Sequence, residues 1–383
     1  MKRKIAAVTT SRSDFTALYW PLHDLASHPD VDLKIIALGP HLSPEFGATI
    51  REIEAAGFQV DARIECLLSS DTDVGMAKTI GLATLSLADC LGQMRPDLLL
   101  VTADRYEMLA PASVALALRI PVAHIEGGEI SEGAIDDVVR NAISKMSHVH
   151  FTSTEMARAR VIAMGEEEWR VHRTGAPSLD HLRRDRLLSR EQLEQRLAVD
   201  LSVPTAIVAY HPTTIARDTT READALFNAI EGLPEQLLFC YPNADAGSRA
   251  LIGRIESFLR CRSGKVFVNL EPLVYWSLLQ HVEFLLGNSS SGIIEAASFA
   301  LPAVNVGIRQ QGREHGRNVL DASPDAASIL DRIQTARSAE FRQSLQGMAN
   351  PYGDGCASQR IVRVLASLPL GEELLIKHAR AVV

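Results

Sequence analysis

Short runs of apolar and β-branched residues recur along the first half of the chain, separated by longer stretches with helical periodicity. The short runs predict strands, and the stretches between them predict helices. Because the runs are apolar throughout rather than alternating, we expect a parallel sheet covered by helices on both faces. The strands predicted here are Lys4–Thr9, Asp32–Leu38, Gln59–Ala62, Leu98–Thr102, Val122–Ile125, Val149–Ser153 and Arg170–Arg173.

The same rhythm restarts in the second half, after a charged stretch from Arg183 to Asp200. A chain of 383 residues exceeds what one hydrophobic core usually serves. The pattern therefore predicts an α/β protein of two doubly wound, Rossmann-like domains in series. The strands predicted for this half are Ala206–Tyr210, Leu237–Tyr241, Val266–Asn269, Val282–Leu286 and Ala303–Val306.

Domain limits follow from the charged stretch and from Pro204, which ends it. We predict a first domain over residues 1–182, a helical linker over 183–204 and a second domain over 205–360. Residues 361–383 are expected to form C-terminal helices that pack back toward the first domain. Ligands of open α/β sheets bind beyond the carboxyl ends of the strands, so the residues after each strand are the candidates for a site.

Composition and charge narrow the class of protein. Apolar residues make up 46% of the chain and charged residues 22%, as in folded globular proteins. A formal charge of −8 argues against nucleic-acid binding, which needs a basic surface. The apolar run Ile5–Val8 is too short for a signal peptide, and we find no uninterrupted apolar stretch that would span a bilayer. Five widely spaced cysteines fit reduced thiols, so we expect a cytoplasmic protein without a membrane partner.

Charged residues follow the strands of the first domain. The segment after the first strand lacks the G-x-G-x-x-G of NAD and FAD folds. Arg12 there either grips a phosphate or is a solvated loop arginine, with Asp14 as the helix cap. Asp104 and Arg105 follow the fourth strand, where such a pair is often only a cap and its salt bridge.

More carboxylates follow the next strand. Glu126 and Glu129 flank two glycines that permit close approach of a ligand, and Asp136 and Asp137 begin the next predicted helix. Clustered carboxylates shift one another's pKa and can divide into acid and base. The alternative is that acids at a helix start only satisfy its dipole, which fits Asp137 better than Glu126 or Asp136.

The second domain offers groups that suit an anion or a sugar. His211 follows its first strand, at a position suited to catalysis or phosphate contact. Asn243 either holds a sugar or makes an Asx turn. Arg309 and Arg313 follow a later strand and can neutralise a phosphate.

The segment Leu285–Glu295 has the composition of a phosphate cradle. A predicted strand leads into Gly287-Asn288-Ser289-Ser290-Ser291-Gly292 and then into a predicted helix, whose free amides suit a pyrophosphate. Glu295 is placed to bind ribose hydroxyls. Because no Gly-Lys-Ser/Thr closes the segment, phosphoryl transfer from ATP is disfavoured.

Taken in order, these motifs resemble the hydrolysing UDP-N-acetylglucosamine 2-epimerase family, which includes bacterial sialic and legionaminic acid pathway enzymes and the epimerase half of the bifunctional animal enzyme. The resemblance runs from about residue 4 to about residue 360. It implies a GT-B-like fold that binds a UDP-sugar in a cleft between the two domains. The motifs that carry it are Ser11-Arg12-Ser13-Asp14, Ala103-Asp104-Arg105, His124-Ile125-Glu126-Gly127-Gly128-Glu129, Asp136-Asp137, His211-Pro212, Tyr241-Pro242-Asn243, Gly287-Asn288-Ser289-Ser290 and Arg309 through Glu314.

By that resemblance, the enzyme eliminates UDP across C1 and C2 of UDP-GlcNAc to give a 2-acetamidoglucal, then adds water with inversion at C2 to give ManNAc. It implies a homodimer or homotetramer; we expect no metal and no other cofactor, because arginines can neutralise the pyrophosphate. The catalytic residues it implies are Asp104, Glu126, Glu129, Asp136 and His211. The residues it implies for UDP and sugar are Arg12, Thr16, Arg105, His211, Asn243, Ser289, Ser290, Ser291, Gly292, Glu295, Arg309 and Arg313.

Three features of the sequence bear on which reaction and sugar to expect. Non-hydrolysing relatives carry His-Arg-Arg-Glu where this chain has His211-Pro212-Thr213-Thr214, which favours hydrolysis. Ser13 and Ala103 stand where the family usually has Ala and Gly, which leaves the sugar open. UDP-2,4-diacetamido-2,4,6-trideoxyhexose is therefore an alternative substrate. Two alternatives from other functional classes also fit the sequence: a GT-B glycosyltransferase that uses a UDP-sugar, and a non-catalytic protein that binds a UDP-sugar.

Overall fold

The computed structural model describes residues 2–70, 72–218 and 220–379. These residues form two compact units. Unit 1 consists of the described residues of Met1–Glu129, Asp136–Arg183 and Tyr352–Val383. Unit 2 consists of those of Ile130–Ile135 and Arg184–Pro351. The short segment Ile130–Ile135 thus belongs to unit 2 although both its neighbours along the chain belong to unit 1.

Unit 1 is built on one parallel sheet. Its strands within the described residues are β1 (Arg3–Thr9), β2 (Val31–Leu38), β3 (Ala62–Ile64), β4 (Leu98–Thr102), β5 (Val122–Ile125), β6 (Val149–Thr152) and β7 (Val171–Arg173). Their order across the sheet is β3-β2-β1-β4-β5-β6-β7. This is the doubly wound order, in which the direction of strand addition reverses between β1 and β4.

Unit 2 repeats that arrangement. Its strands within the described residues are β8 (Thr205–Ala209), β9 (Gln236–Cys240), β10 (Gly264–Phe267), β11 (Phe284–Gly287), β12 (Ala303–Val306) and β13 (Val319–Ala322). All pairs are parallel, and the order is β10-β9-β8-β11-β12-β13, with the reversal between β8 and β11. The prediction of two doubly wound α/β sheets in series is confirmed.

Helices connect the strands of both sheets. The helices of unit 1 are α1 (Arg12–Ser27), α2 (Ile50–Ala55), α3 (Asp73–Met94), α4 (Leu109–Leu118), α5 (Asp136–Met146), α6 (Glu155–Ala163), α14 (Ala357–Ser367) and α15 (Glu372–Leu375), and α7 (His181–Arg184) lies where the chain enters unit 2. The helices of unit 2 are α8 (Arg190–Leu197), α9 (Ala223–Ile230), α10 (Ser248–Leu259), α11 (Pro272–Leu279), α12 (Ala326–Arg337) and α13 (Ala339–Ser344).

Nearly all predicted strands are confirmed to within two residues at each end. Gln59–Ala62 is wrong in position, because β3 begins only at Ala62. β13 was not predicted from the pattern; it is an edge strand that pairs only with β12 and exposes Asp321, so it lacks the continuous apolar run of an inner strand. Within residues 361–383, where C-terminal helices were predicted, the structure has the end of α14 and the short helix α15, and residues 380–383 of that prediction lie outside the described residues.

Two inner strands of unit 1, β4 and β5, are buried from end to end. Every residue of β4 and β5 is buried, because helices cover both faces of the sheet. A strand in this position has little room for polar side chains, since each would need a buried hydrogen-bond partner. The polar groups of unit 1 therefore collect where the strands end, beyond Thr102 and Ile125.

The last helices of the chain belong to the core of unit 1. Ile361 and Leu365 of α14 lie in the same hydrophobic cluster as Leu18 of α1. The start of α14 is fixed by Asp180, whose carboxylate accepts hydrogen bonds from the backbone N–H groups of Ala357 and Ser358, both at 2.8 Å. These bonds satisfy amides that a helix start otherwise leaves without a partner.

A buried ionic cluster holds the segment after α15 against unit 1. The carboxylate of Glu166 is fully buried and contacts Lys145 at 2.6 Å, Lys377 at 2.7 Å and His150 at 3.3 Å. Lys377 also donates to the carbonyl of Ser147 at 2.8 Å. Burial opposes the charge on Glu166, but hydrogen bonds from His150, Lys145 and Lys377 outweigh it and hold the pKa of Glu166 at about 2.

We predict that Glu166→Gln lowers the free energy of unfolding by about 3 kcal/mol at neutral pH, because it removes the charge of a buried carboxylate that contacts Lys145, Lys377 and His150. The Glu166 carboxylate stabilises the fold above its ordinary pKa of 4.5, and this stabilisation is lost as the pH falls toward about 2. The difference between wild type and variant should therefore shrink over that range in urea unfolding curves. Glu168→Gln is the control, since its ion pair with Arg158 is exposed and should change stability by less than about 1 kcal/mol. A constant difference between pH 7 and pH 3 would contradict this account.

Candidate active site

The loop after β4 has a strained backbone held by a buried histidine. Ala103 adopts a φ of +54°, which is uncommon for a residue other than glycine. Its carbonyl accepts a hydrogen bond from Nε2 of His124 at 2.8 Å, and Nδ1 of His124 accepts from the Ser144 hydroxyl at 3.2 Å. Burial lowers the pKa of His124 to about 3, so its ring is neutral and the tautomer is fixed by these two partners. His124 thus positions the backbone that carries Asp104.

The end of β5 is similarly constrained. Glu126 has a φ of +64°, and its backbone N–H donates to the carbonyl of Phe151 at 2.8 Å. Strain of this kind concentrates at functional sites, where the surrounding structure over-determines it. The next residue is Gly127, where a Cβ would lie 2.9 Å from Ser144 Oγ and 3.0 Å from His124 Nδ1 and would displace the contact between these two side chains.

Arg140 joins the carboxylates that follow these strands. Its guanidinium is buried, and it donates to the Asp104 carboxylate and to the backbone carbonyl of Glu129 at 2.8 Å. It also lies 3.6 Å from the carboxylate of Asp137. A guanidinium has five donors in a rigid plane, so one arginine can fix several acidic groups at once. Asp136 and Asp137 begin α5, as the sequence predicts.

Glu129 occupies a more enclosed position than the other predicted catalytic carboxylates. It is buried, and its Oε2 accepts a hydrogen bond from the hydroxyl of Tyr352 at 3.0 Å. Tyr352 is itself fully buried and accepts a bond from the backbone N–H of Ala176 at 2.8 Å. This contact ties Glu129 to the C-terminal segment of unit 1.

The predicted basic residues of unit 1 lie near the starts of two helices. Arg12 is the first residue of α1, and Thr16 donates to its carbonyl at 2.9 Å. The cap of α1 is Ser11, not Asp14 as the sequence suggested. Asp14 instead accepts from the amide and hydroxyl of Thr10, and burial raises its pKa to about 6. Asp14 does not cap α1 because it lies inside the first helical turn, where its carboxylate is directed back toward Thr10 at the end of β1.

Arg105 is buried and paired. Its Nη2 donates to Glu107 Oε1 at 3.0 Å, and its guanidinium lies 5.2 Å from the centre of the Tyr106 ring. The acid placed two residues later, and not the neighbouring Asp104, is therefore its partner in this ion pair. Glu107 is visible in the sequence, but no spacing rule singles out an acid and a base that lie two residues apart in a loop.

Unit 2 is organised around the buried side chain of Asn288, directly after β11. Its Oδ1 accepts from the backbone N–H of His211 at 2.7 Å, and its Nδ2 donates to the His211 carbonyl at 2.9 Å. Its own carbonyl accepts from Arg309 Nη1 and from Gln310 Nε2, both at 3.0 Å. Asn288 therefore joins the ends of β8 and β11, the two strands between which the order reverses, to the loop that carries the arginines.

His211 is oriented by these contacts. Its Nδ1 accepts a hydrogen bond from the backbone N–H of Asn243 at 3.1 Å. A neutral ring that accepts at Nδ1 carries its proton on Nε2 and can donate it to an anion. The structure thus brings together the three predicted residues His211, Asn243 and Arg309. Asn288 contacts both His211 and Arg309, and this positioning role was not predicted from the sequence.

The serine turn, which we define as Ser289–Gly292, is not followed by the predicted α-helix. The chain makes 3₁₀ turns at Ser290–Gly292 and Ala296–Phe299. Ser289 Oγ accepts from the Ser291 N–H at 3.4 Å, and Ser291 Oγ lies 2.6 Å from the hydroxyl of Tyr275. The serines are half-buried. The anion site predicted here therefore has hydroxyls and turn amides, but no full helix dipole.

The arginine loop, which we define as residues 307–314, contacts the short segment Ile130–Ile135 within unit 2. The N–H of Glu132 donates to the Gln311 carbonyl at 3.1 Å. A Cβ on Gly133 would lie 2.2 Å from the carbonyl oxygen of Ile308, so only glycine fits. In the same loop, Arg313 Nη1 donates to Gln310 Oε1 at 3.0 Å. The segment between the predicted catalytic residues Glu129 and Asp136 is therefore bonded to the loop that carries Arg309.

Metal ligands are not evident in the described part of the chain, where no three His, Cys, Asp or Glu side chains are grouped as a metal would require. Near the candidate site, Asp104 and Asp137 are instead paired with Arg140, and Glu107 with Arg105. The arrangement offers carboxylates in unit 1 for proton transfer, and a histidine, hydroxyls and arginines in unit 2 for an anion.

Comparisons with known proteins identify the family to which this chain is similar. The family model described as UDP-N-acetylglucosamine 2-epimerase matches residues 23–366. A Campylobacter jejuni GDP/UDP-N,N'-diacetylbacillosamine 2-epimerase (hydrolyzing) is 36% identical, with 90% of each chain covered. A Legionella pneumophila UDP-N,N'-diacetylbacillosamine 2-epimerase (hydrolyzing) is 35% identical over 98% of this chain and 99% of its own. A Neisseria meningitidis UDP-N-acetylglucosamine 2-epimerase is 32% identical, with 87% of each chain covered.

The fold is also that of solved structures in this group. The crystal structure of a Neisseria meningitidis UDP-GlcNAc 2-epimerase bound to UDP-GlcNAc superposes with a TM-score of 0.78 at 19% identity, covering 94% of this chain and 99% of that one. A putative UDP-N-acetylglucosamine 2-epimerase from Listeria monocytogenes also gives 0.78, at 15% identity and 96% coverage of both chains. The family match over most of the chain and the relatives above 30% identity establish that this chain belongs to the UDP-N-acetylglucosamine 2-epimerase family.

Proposed function

We propose that this enzyme is a hydrolysing 2-epimerase of a UDP-linked 2-acetamido sugar, and that unit 1 supplies the acid and base while unit 2 holds the UDP. The observation that carries the proposal is the Arg140 cluster, in which one buried guanidinium fixes Asp104 beside Glu129 and the start of α5. A carboxylate fixed in this way is suited to proton transfer at carbon, which requires a base held in place.

The reaction needs two kinds of group. A carboxylate removes the C2 proton while the C1–O bond breaks, and the bonding electrons leave with the β-phosphate oxygen of UDP. The resulting 2-acetamidoglucal then gains water, with oxygen at C1 and a proton at C2 from the opposite face. We assign these proton transfers to Asp104, Glu126 and Asp136. Glu129 is more deeply buried than these three carboxylates and is therefore less accessible to a substrate. His211, through Nε2, and Arg309 are assigned to the charge that develops on the pyrophosphate.

The chain connection between Glu129 and Asp136 supports the action of both groups on one substrate. Both residues flank the segment that hydrogen-bonds to the arginine loop in unit 2. A ligand that orders the arginine loop would therefore act on the segment between two of the predicted catalytic carboxylates. Arg12, Thr16 and Arg105 of unit 1, and the serine turn, Glu295, Asn243 and Arg313 of unit 2, complete the proposed set for UDP and sugar.

The sugar we now favour carries a second acetamido group. The Campylobacter relative at 36% identity is named for GDP/UDP-N,N'-diacetylbacillosamine and the Legionella relative at 35% for UDP-N,N'-diacetylbacillosamine, whereas the Neisseria relative at 32% is named for UDP-N-acetylglucosamine. UDP-GlcNAc, the sugar expected from the motifs alone, is the second candidate. We place the enzyme in the cytoplasm, where its five free cysteines stay reduced.

We predict that incubation in deuterated water with either sugar nucleotide releases UDP and a 2-epimerised sugar that carries deuterium at C2. The proton removed by a carboxylate exchanges with solvent before a proton returns to C2, so the label reports the elimination step. NMR of the products identifies reaction and sugar together, and we expect kcat/KM to be at least tenfold higher for the 2,4-diacetamido sugar. Product without deuterium would rule out proton abstraction, and UDP release only with an added acceptor would indicate a glycosyltransferase.

We predict a division of roles between the two units. Glu126→Gln and Asp136→Asn should abolish turnover with little change in the Kd for UDP, because they remove proton-transfer groups. Arg309→Ala should raise that Kd about tenfold or more, because it removes a charged donor. Arg317→Ala is the matched control, since this exposed arginine donates only to the Gln346 carbonyl among its described contacts. Titration calorimetry with UDP measures all four variants, and an equal loss of UDP affinity in every one would refute the division.

We also predict that Asn288 is a positioning residue for UDP. Asn288→Ala frees the His211 backbone, and Asn288→Asp places a second acceptor against the His211 carbonyl; each should raise the Kd for UDP about tenfold. Asn305→Ala, at a buried asparagine of the neighbouring strand β12, is the control and should leave UDP affinity unchanged. Thermal unfolding of the same variants separates positioning from instability. Wild-type UDP affinity in folded Asn288→Asp would exclude this role.

A further inference from the structure

The start of helix α5, which carries Asp136, is held by a hydrogen bond from outside the helix. The residue before the helix, Ile135, has no side-chain oxygen that could cap it. In a capping box, a Glu or Gln at the third helical position bonds back to the N–H of the capping residue, but Val138 stands there. The Ile135 N–H donates instead to the hydroxyl of Thr214 at 3.1 Å. Thr214 therefore satisfies an amide that the helix itself leaves open.

This hydrogen bond lies within unit 2, to which both Ile135 and Thr214 belong. Asp136 is the next residue along the chain and the first of α5. Because consecutive Cα atoms are only about 3.8 Å apart, the Thr214 hydroxyl constrains the backbone from which the Asp136 side chain projects.

Thr214 is joined to His211 by a segment with little conformational freedom. Pro212 has a fixed φ angle. Thr213 is buried, and its hydroxyl donates to Glu222 Oε2 at 3.4 Å. The backbone N–H and carbonyl of His211 are both held by hydrogen bonds. A displacement of the His211 backbone is therefore transmitted to the Thr214 hydroxyl.

The segment Ile130–Ile135 has a second attachment in unit 2, through the bond from the Glu132 N–H to the Gln311 carbonyl in the arginine loop. That attachment uses backbone groups only, whereas the one at Ile135 uses the Thr214 side chain. A substitution of Thr214 can therefore remove one attachment and leave the arginine loop unchanged.

We propose that Thr214 is a positioning residue for the proton transfer at C2, an inference that rests on the proposed function. Its hydroxyl fixes the backbone before Asp136 relative to His211, which is assigned to the pyrophosphate. The Asp136 carboxylate is then in place when the UDP is bound. Proton transfer is sensitive to small displacements of the reacting groups, so Thr214 contributes to the rate without touching the substrate.

The test compares Thr214→Val, which keeps the branched shape and removes the hydroxyl, with Thr214→Ser, which keeps the hydroxyl. Steady-state kinetics use the sugar nucleotide that wild type epimerises. We expect Thr214→Val to lower kcat about tenfold or more, because the Ile135 N–H loses its acceptor. KM and the Kd for UDP should stay within about twofold of wild type, since no group that binds UDP is removed. Thr214→Ser should restore kcat to within about twofold of wild type.

Single turnovers separate positioning from a loss of folded enzyme. With enzyme in excess over a substrate deuterated at C2, the rate constant for loss of that deuterium reports cleavage of the C2 bond. A smaller fraction of folded enzyme lowers kcat but leaves this rate constant unchanged. Thr214→Val should lower the rate constant itself about tenfold, because the carboxylate is displaced.

The matched control is Thr220→Val in the same loop, where the hydroxyl donates to Asp218 Oδ1 at 3.1 Å. It should leave kcat unchanged. Wild-type kinetics in Thr214→Val, or a Thr214→Ser variant as slow as Thr214→Val, would overturn the proposal. A raised KM with unchanged kcat would also overturn it, since the hydroxyl would then bind the substrate directly. A wild type that epimerises neither sugar nucleotide would refute the proposed function as well, whereas an active wild type with an unaffected Thr214→Val refutes this inference alone.

Discussion

Both units depend on the constraint that a parallel strand covered on both faces can hold few polar groups along its length. Each inner strand is hydrogen-bonded on both sides, as β4 is to β1 and β5, and its side chains meet helices above and below. Polar and charged residues are therefore collected at the strand ends, where the backbone leaves the sheet. The candidate site follows from this constraint, since its groups come from the residues after β1, β4 and β5 in unit 1 and after β8, β9, β11 and β12 in unit 2.

Beyond the strand ends, where the hydrogen bonds of the sheet no longer fix the backbone, buried side chains hold the loops in place. In unit 1, His124 holds the Ala103 carbonyl and Arg140 fixes Asp104. In unit 2, Asn288 holds both backbone groups of His211. The positive φ values of Ala103 and Glu126 show how tightly the two loops of unit 1 are determined, because neither residue adopts this backbone without support from its neighbours.

The sequence predicted the strands well because buried parallel strands are continuous apolar runs, and it placed the candidate residues by the rule that ligands bind at strand ends. It did not predict the positioning roles of Arg140 and Asn288, because these depend on hydrogen bonds between loops that are distant in the chain. The contact of Tyr352 with Glu129 spans 223 residues and has no local signal. Likewise, nothing in the composition of Ile130–Ile135 separates it from its neighbours, although it belongs to the other unit.

The central claim is that the carboxylates after β4 and β5 act on the sugar whose UDP is held by His211 and Arg309. A crystal structure of Glu126→Gln with an intact UDP-2-acetamido sugar tests it most directly, because the variant should bind the substrate without turnover. The account predicts that C2 of the sugar lies within about 3.5 Å of a carboxyl group of Asp104 or Asp136, with the pyrophosphate on His211 and Arg309. A sugar whose C2 lies away from these carboxyl groups, or a pyrophosphate bound elsewhere, would contradict it.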